Sequence, residues 1–234
     1  MPTPSVDLID GILLVLLLVL MPAFALAQAS VLDRVPFDRL QAYWSSMAAL
    51  WVLGATSWLV GTREGGLRAI GLVPLPMLEL VAWSLGLAAA GVALMLVFKV
   101  IGSWANVPET PVLAQLLPRT ERERRVFGLL SVAAGVGEEV AYRGYAIPTL
   151  AVSVGVPWSV AITSTLFGVL HAYQGVLGMI RTALMGAVLA GGFIASGSLL
   201  PVIIGHTLVD LLAGLVIADW FIEDLAETTN QGNG

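Results

Sequence analysis

Cysteine is absent from the 234 residues, which excludes disulfides, thiolate metal sites, a cysteine nucleophile and cysteine-linked lipid anchors. Histidine is nearly absent, with two residues, His171 and His206. Charge is scarce as well. Only 12% of residues are Asp, Glu, Lys or Arg, about half the share of a soluble domain, which is near 25%. The net charge of −5 and the lack of a long basic run argue against a nucleic-acid partner. No repeat and no low-complexity tract interrupts the chain.

Apolar residues fill the space that charge leaves. They make up 58% of the chain, and the mean hydropathy is +0.90. This is the composition of an integral membrane protein that crosses the bilayer several times in contact with lipid. Apolar segments long enough to span fall near 11–30, 43–61, 74–100, 126–147, 156–172, 176–196 and 199–222, and about 20 residues suffice for one crossing. The expected fold is therefore all-α, a polytopic bundle of about seven transmembrane helices, with six to eight as the range. The third segment is long enough to tilt or to hide a break. Residues 62–73 read as a loop. Residues 103–125 form the one substantial hydrophilic connection, with a short interfacial helix expected over Pro111 to Leu117 and the TERERRVF run opening the fourth helix at the water side. Gly is plentiful at 25 residues, as close helix–helix contact in membranes favours.

The ends and the topology give weaker signals. Ala25-Leu26-Ala27 resembles a signal-peptide cleavage site, but residues 1–10 carry Asp7 and Asp10 and no basic residue, so the first segment reads as a retained helix rather than a cleaved leader. Arg34 and Arg39 in one loop, and four Arg with nearby Lys99 around 101–125, place those loops on the cytoplasmic side. Arg63 and Arg68 in the intervening loop weigh against that orientation. The tail after Phe221 is acidic, then small and polar, and reads as frayed.

Against this background, LLSVAAGVGEEVAYRGYAIPTL places Glu138 and Glu139 side by side in a membrane segment. Ionisable residues there cost about 2.5–3.5 kcal/mol each on insertion scales and are retained mainly where they are paired or functional. Glu139 and Arg143 are four apart, hence neighbours on one helix face. Glu138 is turned by about 100° in an α-helix and cannot easily share that arginine. The expectation is a division of roles: Glu139–Arg143 as a structural ion pair, Glu138 projecting alone into the bundle, where an unpaired carboxylate suits a general base. His171 closes the run ITSTLFGVLH, one turn after Phe167. His206 and Asp210 share a face in PVIIGHTLVD, so Asp210 can fix the His206 tautomer or act as a second ligand. Glu79, Arg181 and Asp219, also inside or near apolar segments, read as interfacial or snorkelling. The residues alone leave open a proton- or ion-coupled transporter, since intramembrane Glu, His and Asp also serve proton relays. The lack of internal repeats and the small size count against it.

Three motifs in order carry a resemblance. GEEVAYRG has the form E-E-x-x-x-R, FGVLH the form F-x-x-x-H, and HTLVD the form H-x-x-x-N/D. Together, each in a membrane segment, they resemble the CPBP family of CAAX prenyl proteases and bacteriocin-processing or bacteriocin-immunity membrane proteins, also called the Abi family. The likeness covers about residues 110–215. It implies an intramembrane endopeptidase acting on membrane-associated or prenylated peptides, in a bacterial or archaeal plasma membrane. Residues 1–105 would be accessory helices, 106–222 the catalytic core and 223–234 a polar tail. By position, Glu138, His171, His206 and Asp210 would be catalytic, with Glu139, Arg143 and Phe167 supporting. Two mechanisms fit. In one, His171, His206 and Asp210 or Glu138 hold a divalent metal, zinc first. In the other no metal is needed: Glu138 and His171 activate water, and His206 with Asp210 stabilises the oxyanion. An ionised Asp210 cannot donate a hydrogen bond, which leans this chain towards metal binding or towards Asp210 orienting His206. A non-catalytic immunity protein that keeps the fold is the remaining alternative.

Overall fold

The computed structural model describes residues 6–32 and 38–217, and these are helices joined by turns, with no strand among them. Helix starts are written locally. α1 (Leu8–Leu32) opens at Asp7, which exchanges side-chain and backbone hydrogen bonds with Asp10 in a capping box. The Asp10 backbone N–H, with Arg63 nearby, holds the exposed Asp7 carboxyl below its ordinary range. α2 (Arg39–Thr62) starts behind Asp38, whose carboxylate accepts from the Gln41 N–H. α3 (Met77–Trp104) runs 28 residues without a break, so the long third segment hides none. α4 (Pro111–Leu116) is the short helix expected in the hydrophilic connection, capped by Thr110 with proline in its first turn. α5 (Glu121–Glu138) begins at a Thr120–Glu123 capping box, because TERE supplies both reciprocal partners. It passes directly into a π-helical segment, Glu139–Ala146, and then into α6 (Ile147–Val154), which stops at Gly155 with φ 80°. α7 (Val156–Leu170), α8 (Gly175–Ser196) and α9 (Leu200–Leu215) complete the chain.

The seven apolar segments fall on α1, α2, α3, α5 with the π segment, α7, α8 and α9. Three helical stretches are long and apolar enough to cross a membrane: Leu8–Leu32, Met77–Trp104 and Ala172–Ser196. Val156–Leu170 and Leu200–Leu215 are apolar but shorter. α2 and α5 fall outside both groups, α5 because it opens on ERERR. Arg34, Asp219 and the polar tail lie outside the described residues.

The surface identifies the solvent. Large apolar side chains point outward along α1 (Leu8, Ile12, Val19, Phe24), α2 (Trp44, Val52, Leu59) and α3 (Leu78, Leu85, Val97), each at least half exposed or close to it. Soluble monomers do not display apolar surface on this scale. The buried set includes Ser57, Ser84, Ser131, Ser159, Thr163 and Ser164. Several of these hydroxyls bond back to their own helix, as Ser84 does to the Leu80 carbonyl and Thr163 to Ser159. Small residues inside, most of their hydroxyls bonded to their own helix and those of Ser57 and Ser164 without a partner among the described residues, with large apolar residues outside, suit a bundle dissolved in lipid, where packing rather than burial from water holds helices together.

α2 lies along α5 and the π segment, α9 along both α3 and α5, and α8 along α7. The two glutamates, His171 and His206 thus sit on elements that meet in the middle. α1 packs on the π segment through Leu13 and Leu17, which join Tyr142, Tyr145 and Phe167 in one core cluster. Tyr142 donates its hydroxyl to the Leu17 carbonyl at 3.1 Å, within α1's own π-helical turn at Leu16–Leu20. Tyr145 donates to Asp10 Oδ1 at 3.1 Å, and Asp10 also takes Arg63 at 2.7 Å. Arg63, read as a loop charge, therefore ties the start of α1 to the end of α2.

One close approach sets the depth of the glutamates. A Cβ on Gly137 would meet the Leu50 carbonyl oxygen of α2 at 2.5 Å, and one on Gly54 would meet Gly137 Cα at 2.9 Å. Both obstacles are backbone and cannot turn aside. Gly137→Ala is expected to force α2 and α5 apart and to lower stability by about 1–3 kcal/mol, the usual cost of overpacking. Gly86→Ala, where nothing lies within 4 Å, is expected to be neutral or stabilising. Thermal unfolding of both variants in detergent checks this.

Candidate active site

The acidic pair straddles a change of helix type. Glu138 ends α5, and Glu139 begins the π segment, all eight of whose residues are buried. π-turns are rare and concentrate at functional sites. Although the backbone is wider than the α-helix assumed from sequence, the expected pair forms: Arg143 Nη1 donates to Glu139 Oε1 at 2.7 Å. Arg143 is further fixed by Nη2 donating to the Gly186 carbonyl of α8 at 3.1 Å and by its guanidinium lying 4.4 Å from the Phe167 ring centre. Exposure is 2% for the arginine side chain and 0% for that of Glu139, so this is a fully desolvated ion pair.

Glu139 has a second role that sequence reasoning missed. The same Oε1 lies 2.7 Å from His206 Nδ1 on α9. A carboxylate accepts, so Nδ1 carries the proton, and Nε2 faces the other way. There, Glu138 Oε2 and Asp210 Oδ2 each stand 3.8 Å from Nε2. The expectation that Asp210 fixes the His206 tautomer is corrected: Glu139 does so. The reason is geometric. His206 and Asp210 share a helix face, but Asp210 meets the imidazole on its Nε2 side, beyond hydrogen-bond length. The buried Glu139 offers Nδ1 a short, charge-assisted bond from the neighbouring helix. Its other oxygen, Oε2, has no hydrogen-bond partner in the described structure.

His171 caps α7. Its Nδ1 lies 2.8 Å from the Phe167 carbonyl, which can only accept, so Nδ1 is again the protonated nitrogen and Nε2 is left as an acceptor. Phe167, 2% exposed, is the hub of this arrangement. Its ring centre lies 5.0 Å from that of His171, 6.1 Å from that of His206 and 5.6 Å from that of Tyr142. An isolated Phe in a membrane helix carries no such signal; only the F-x-x-x-H motif marked it.

Beside these groups lies a cavity of about 150 Å³ lined by His171, His206, Asp210 and Phe167, with apolar walls from α3, α4 and α8. Glu138 is not itself a lining residue and reaches the group through its 3.8 Å approach to His206. Arg181 and Gln174 are lining residues. Arg181, read from sequence as interfacial or snorkelling, has partners that the reading did not supply: it is 11% exposed, paired with Glu109 at 3.0 Å and donating to Gln174 Oε1 at 2.9 Å. Its main partner is 72 positions away, so sequence spacing held only the faint clue of Gln174 two helical turns earlier. Glu79 is exposed in the first turn of α3, in keeping with an interfacial position. Among the described residues no three His, Asp or Glu side chains are grouped so as to hold a metal ion. The two histidines and carboxylate that the metal mechanism would use are not drawn together into such a group.

Residues 123–212 match the family model described as Type II CAAX prenyl endopeptidase Rce1-like. The match, over 90 of the 234 residues, agrees with the CPBP resemblance that the motifs carry. It begins in the first turn of α5 and ends two residues past Asp210, so it takes in Glu138, Glu139, Arg143, Phe167, His171, Arg181, His206 and Asp210 and leaves out α1–α4. No curated protein and no solved structure matches the chain.

Removing one partner of a buried ion pair strands the other, at about 3–5 kcal/mol. Arg143→Ala is expected to lower thermal stability by that order and to impair activity as a consequence. Retained stability in Arg143→Ala, measured by thermal unfolding in detergent, would contradict a structural role for the pair.

Proposed function

We propose that this protein is an intramembrane endopeptidase of the CPBP type that hydrolyses peptide bonds of membrane-associated or prenylated substrates, with Glu138 activating water. The Rce1-like match supports the reaction class. The observation that carries the residue assignment is the 3.8 Å approach of Glu138 Oε2 to Nε2 of His206, which lines the cavity. A water molecule seated beside the two atoms, off the line that joins them, can hydrogen-bond to both at about 2.8 Å.

In this reading Glu138 takes a proton from water as the hydroxyl attacks the substrate carbonyl carbon. It then returns that proton to the amine as the carbon–nitrogen bond breaks. His171 Nε2, unprotonated because its Nδ1–H is committed to Phe167, accepts from the water's other hydrogen and orients it. His206 is held by Glu139 through Nδ1 and, when doubly protonated, donates from Nε2 to the developing oxyanion. Asp210, beside Nε2, keeps that proton in place by charge rather than by direct bonding. Glu139 and Arg143 act on the chemistry only by fixing His206 and Phe167. Divalent metal, zinc first, held by His171, His206, Asp210 and Glu138 is the alternative mechanism, and it requires these side chains to close up from their present positions.

The proposed architecture is a bundle of about seven membrane helices in a bacterial or archaeal plasma membrane. Residues 106–222 supply the catalytic core, residues 1–105 the accessory helices and residues 223–234 a polar tail. The short apolar helices α7 and α9 lie among longer neighbours and carry the histidines.

Purified wild type and Glu138→Gln are to be compared on prenylated and hydrophobic-flanked peptides. Glu138→Gln is expected to lose at least about 100-fold in turnover, the low end of a general base's contribution, with unchanged thermal unfolding, because the amide keeps the shape and removes the base. Failure of the wild type to cleave any member of a broad panel would sink the protease reading. Activity that survives a chelator supports direct activation by Glu138, and loss restored by zinc supports the metal route.

A further inference from the structure

Among the described residues lining the cavity, Arg181 is the single Lys or Arg. The proposed chemistry does not use it. An arginine 11% exposed in an apolar cavity is costly unless its charge is matched, and here the match comes from outside the bundle. Glu109, in the loop between α3 and α4, places Oε1 3.0 Å from Nη1, while Gln174 Oε1 takes Nη2 at 2.9 Å. Glu109 is 24% exposed, so its own carboxylate already has partial access to water. Exchanging it for another carboxylate leaves Arg181 neutralised throughout and returns Glu109 to solvent, which makes the exchange nearly balanced. The guanidinium fork suits a carboxylate geometrically.

Glu109 also belongs to a cover. The adjacent Thr110 caps α4 and donates to the Tyr173 carbonyl at 2.8 Å, and Leu113 and Leu117 from this region form part of the cavity wall. A ligand that displaced Glu109 from Arg181 would loosen one of the ties holding α4 over the cavity.

We propose that Arg181 is the receptor for a carboxylate of the substrate peptide, and that Glu109 occupies that position until substrate enters. Arg181 is then a specificity-determining residue, and preferred substrates carry a free C-terminal carboxylate or an acidic side chain within reach of the cut bond. This rests on the hydrolase reading for its biological meaning, but its test reads binding.

The test uses an apolar peptide in three forms: free C-terminal acid, C-terminal amide, and amide with one internal aspartate. Binding to Glu138→Gln protein in detergent is measured by calorimetry, alone and combined with Arg181→Gln, Arg181→Lys or Glu109→Gln. With Arg181 intact, one or both carboxylate-bearing peptides are expected to bind at least about tenfold more tightly than the neutral amide, as a charged hydrogen bond allows, and which one does so assigns the terminal or the side-chain source. Arg181→Gln is expected to erase the preference, Arg181→Lys to keep only part of it, and Glu109→Gln to strengthen binding of the preferred acid by removing its competitor. Equal binding of acid, amide and aspartyl peptide, or a preference that survives Arg181→Gln, would overturn the proposal whatever the enzyme cleaves. A carboxylate preference lost with Arg181 in a protein that cleaves nothing upholds it and sinks the hydrolase reading instead.

Discussion

One carboxylate oxygen organises the centre of this bundle. Glu139 Oε1 accepts from Arg143 on its own helical run and from His206 on α9, each at 2.7 Å, in a place with no solvent. Neither partner would be tolerated there alone. An unpaired arginine or glutamate at that depth costs several kcal/mol, so the helices carrying them are held in one relative position by the requirement that the charges meet. Everything chemically interesting is placed by consequence. Arg143 holds the Phe167 ring by its charge and α8 through the Gly186 carbonyl. Phe167 sets the floor against which both imidazoles rest, and the orientation of His206 decides which nitrogen meets Glu138 and Asp210.

The backbone allows this because it bends two ordinary rules. The π segment Glu139–Ala146 inserts its polar residues into the bundle while α5 and α6 continue on either side. Gly137, immediately before the pair, brings α5 so near α2 that a methyl group would strike a carbonyl. A close helix contact at residue 137 and a widened turn from residue 139 together deliver two adjacent carboxylates to different tasks. α1 supports the widened turn from behind, since Tyr142 and Tyr145 both send their hydroxyls to it. The N-terminal helices, accessory in the sense that they carry no motif, are thus part of what holds the π segment in shape.

Much of this was legible in the sequence. The apolar segments lie on helices, the short helix at Pro111 and the helix opened by the TERERRVF run are where local chemistry puts them, and the Glu139–Arg143 pair was expected from its four-residue spacing. Spacing fails once a contact joins distant segments. Asp210 was the natural partner for His206 because it is four residues away, yet Glu139, 67 positions distant, holds the ring. Arg181 read as an interfacial or snorkelling charge because its partner Glu109 precedes it by 72 residues. The π-turn was invisible for a different reason: an eight-residue run such as EVAYRGYA has no feature that separates a π from an α backbone, and only the neighbours that accept its side chains select the wider form. The span count is less clear-cut than the helix count, since α7 and α9 are apolar but short and α5 begins in charge.

The account assigns construction to Glu139 and reaction to Glu138, and histidine nitrogen NMR reads that division directly. In ¹⁵N-labelled protein, the His206 Nδ1 proton is expected as a downfield, exchange-protected resonance, the sign of a short bond to a buried carboxylate. It should persist in Glu138→Gln and vanish in Glu139→Gln. A resonance lost with Glu138 and kept without Glu139 would contradict the assignment of the two roles.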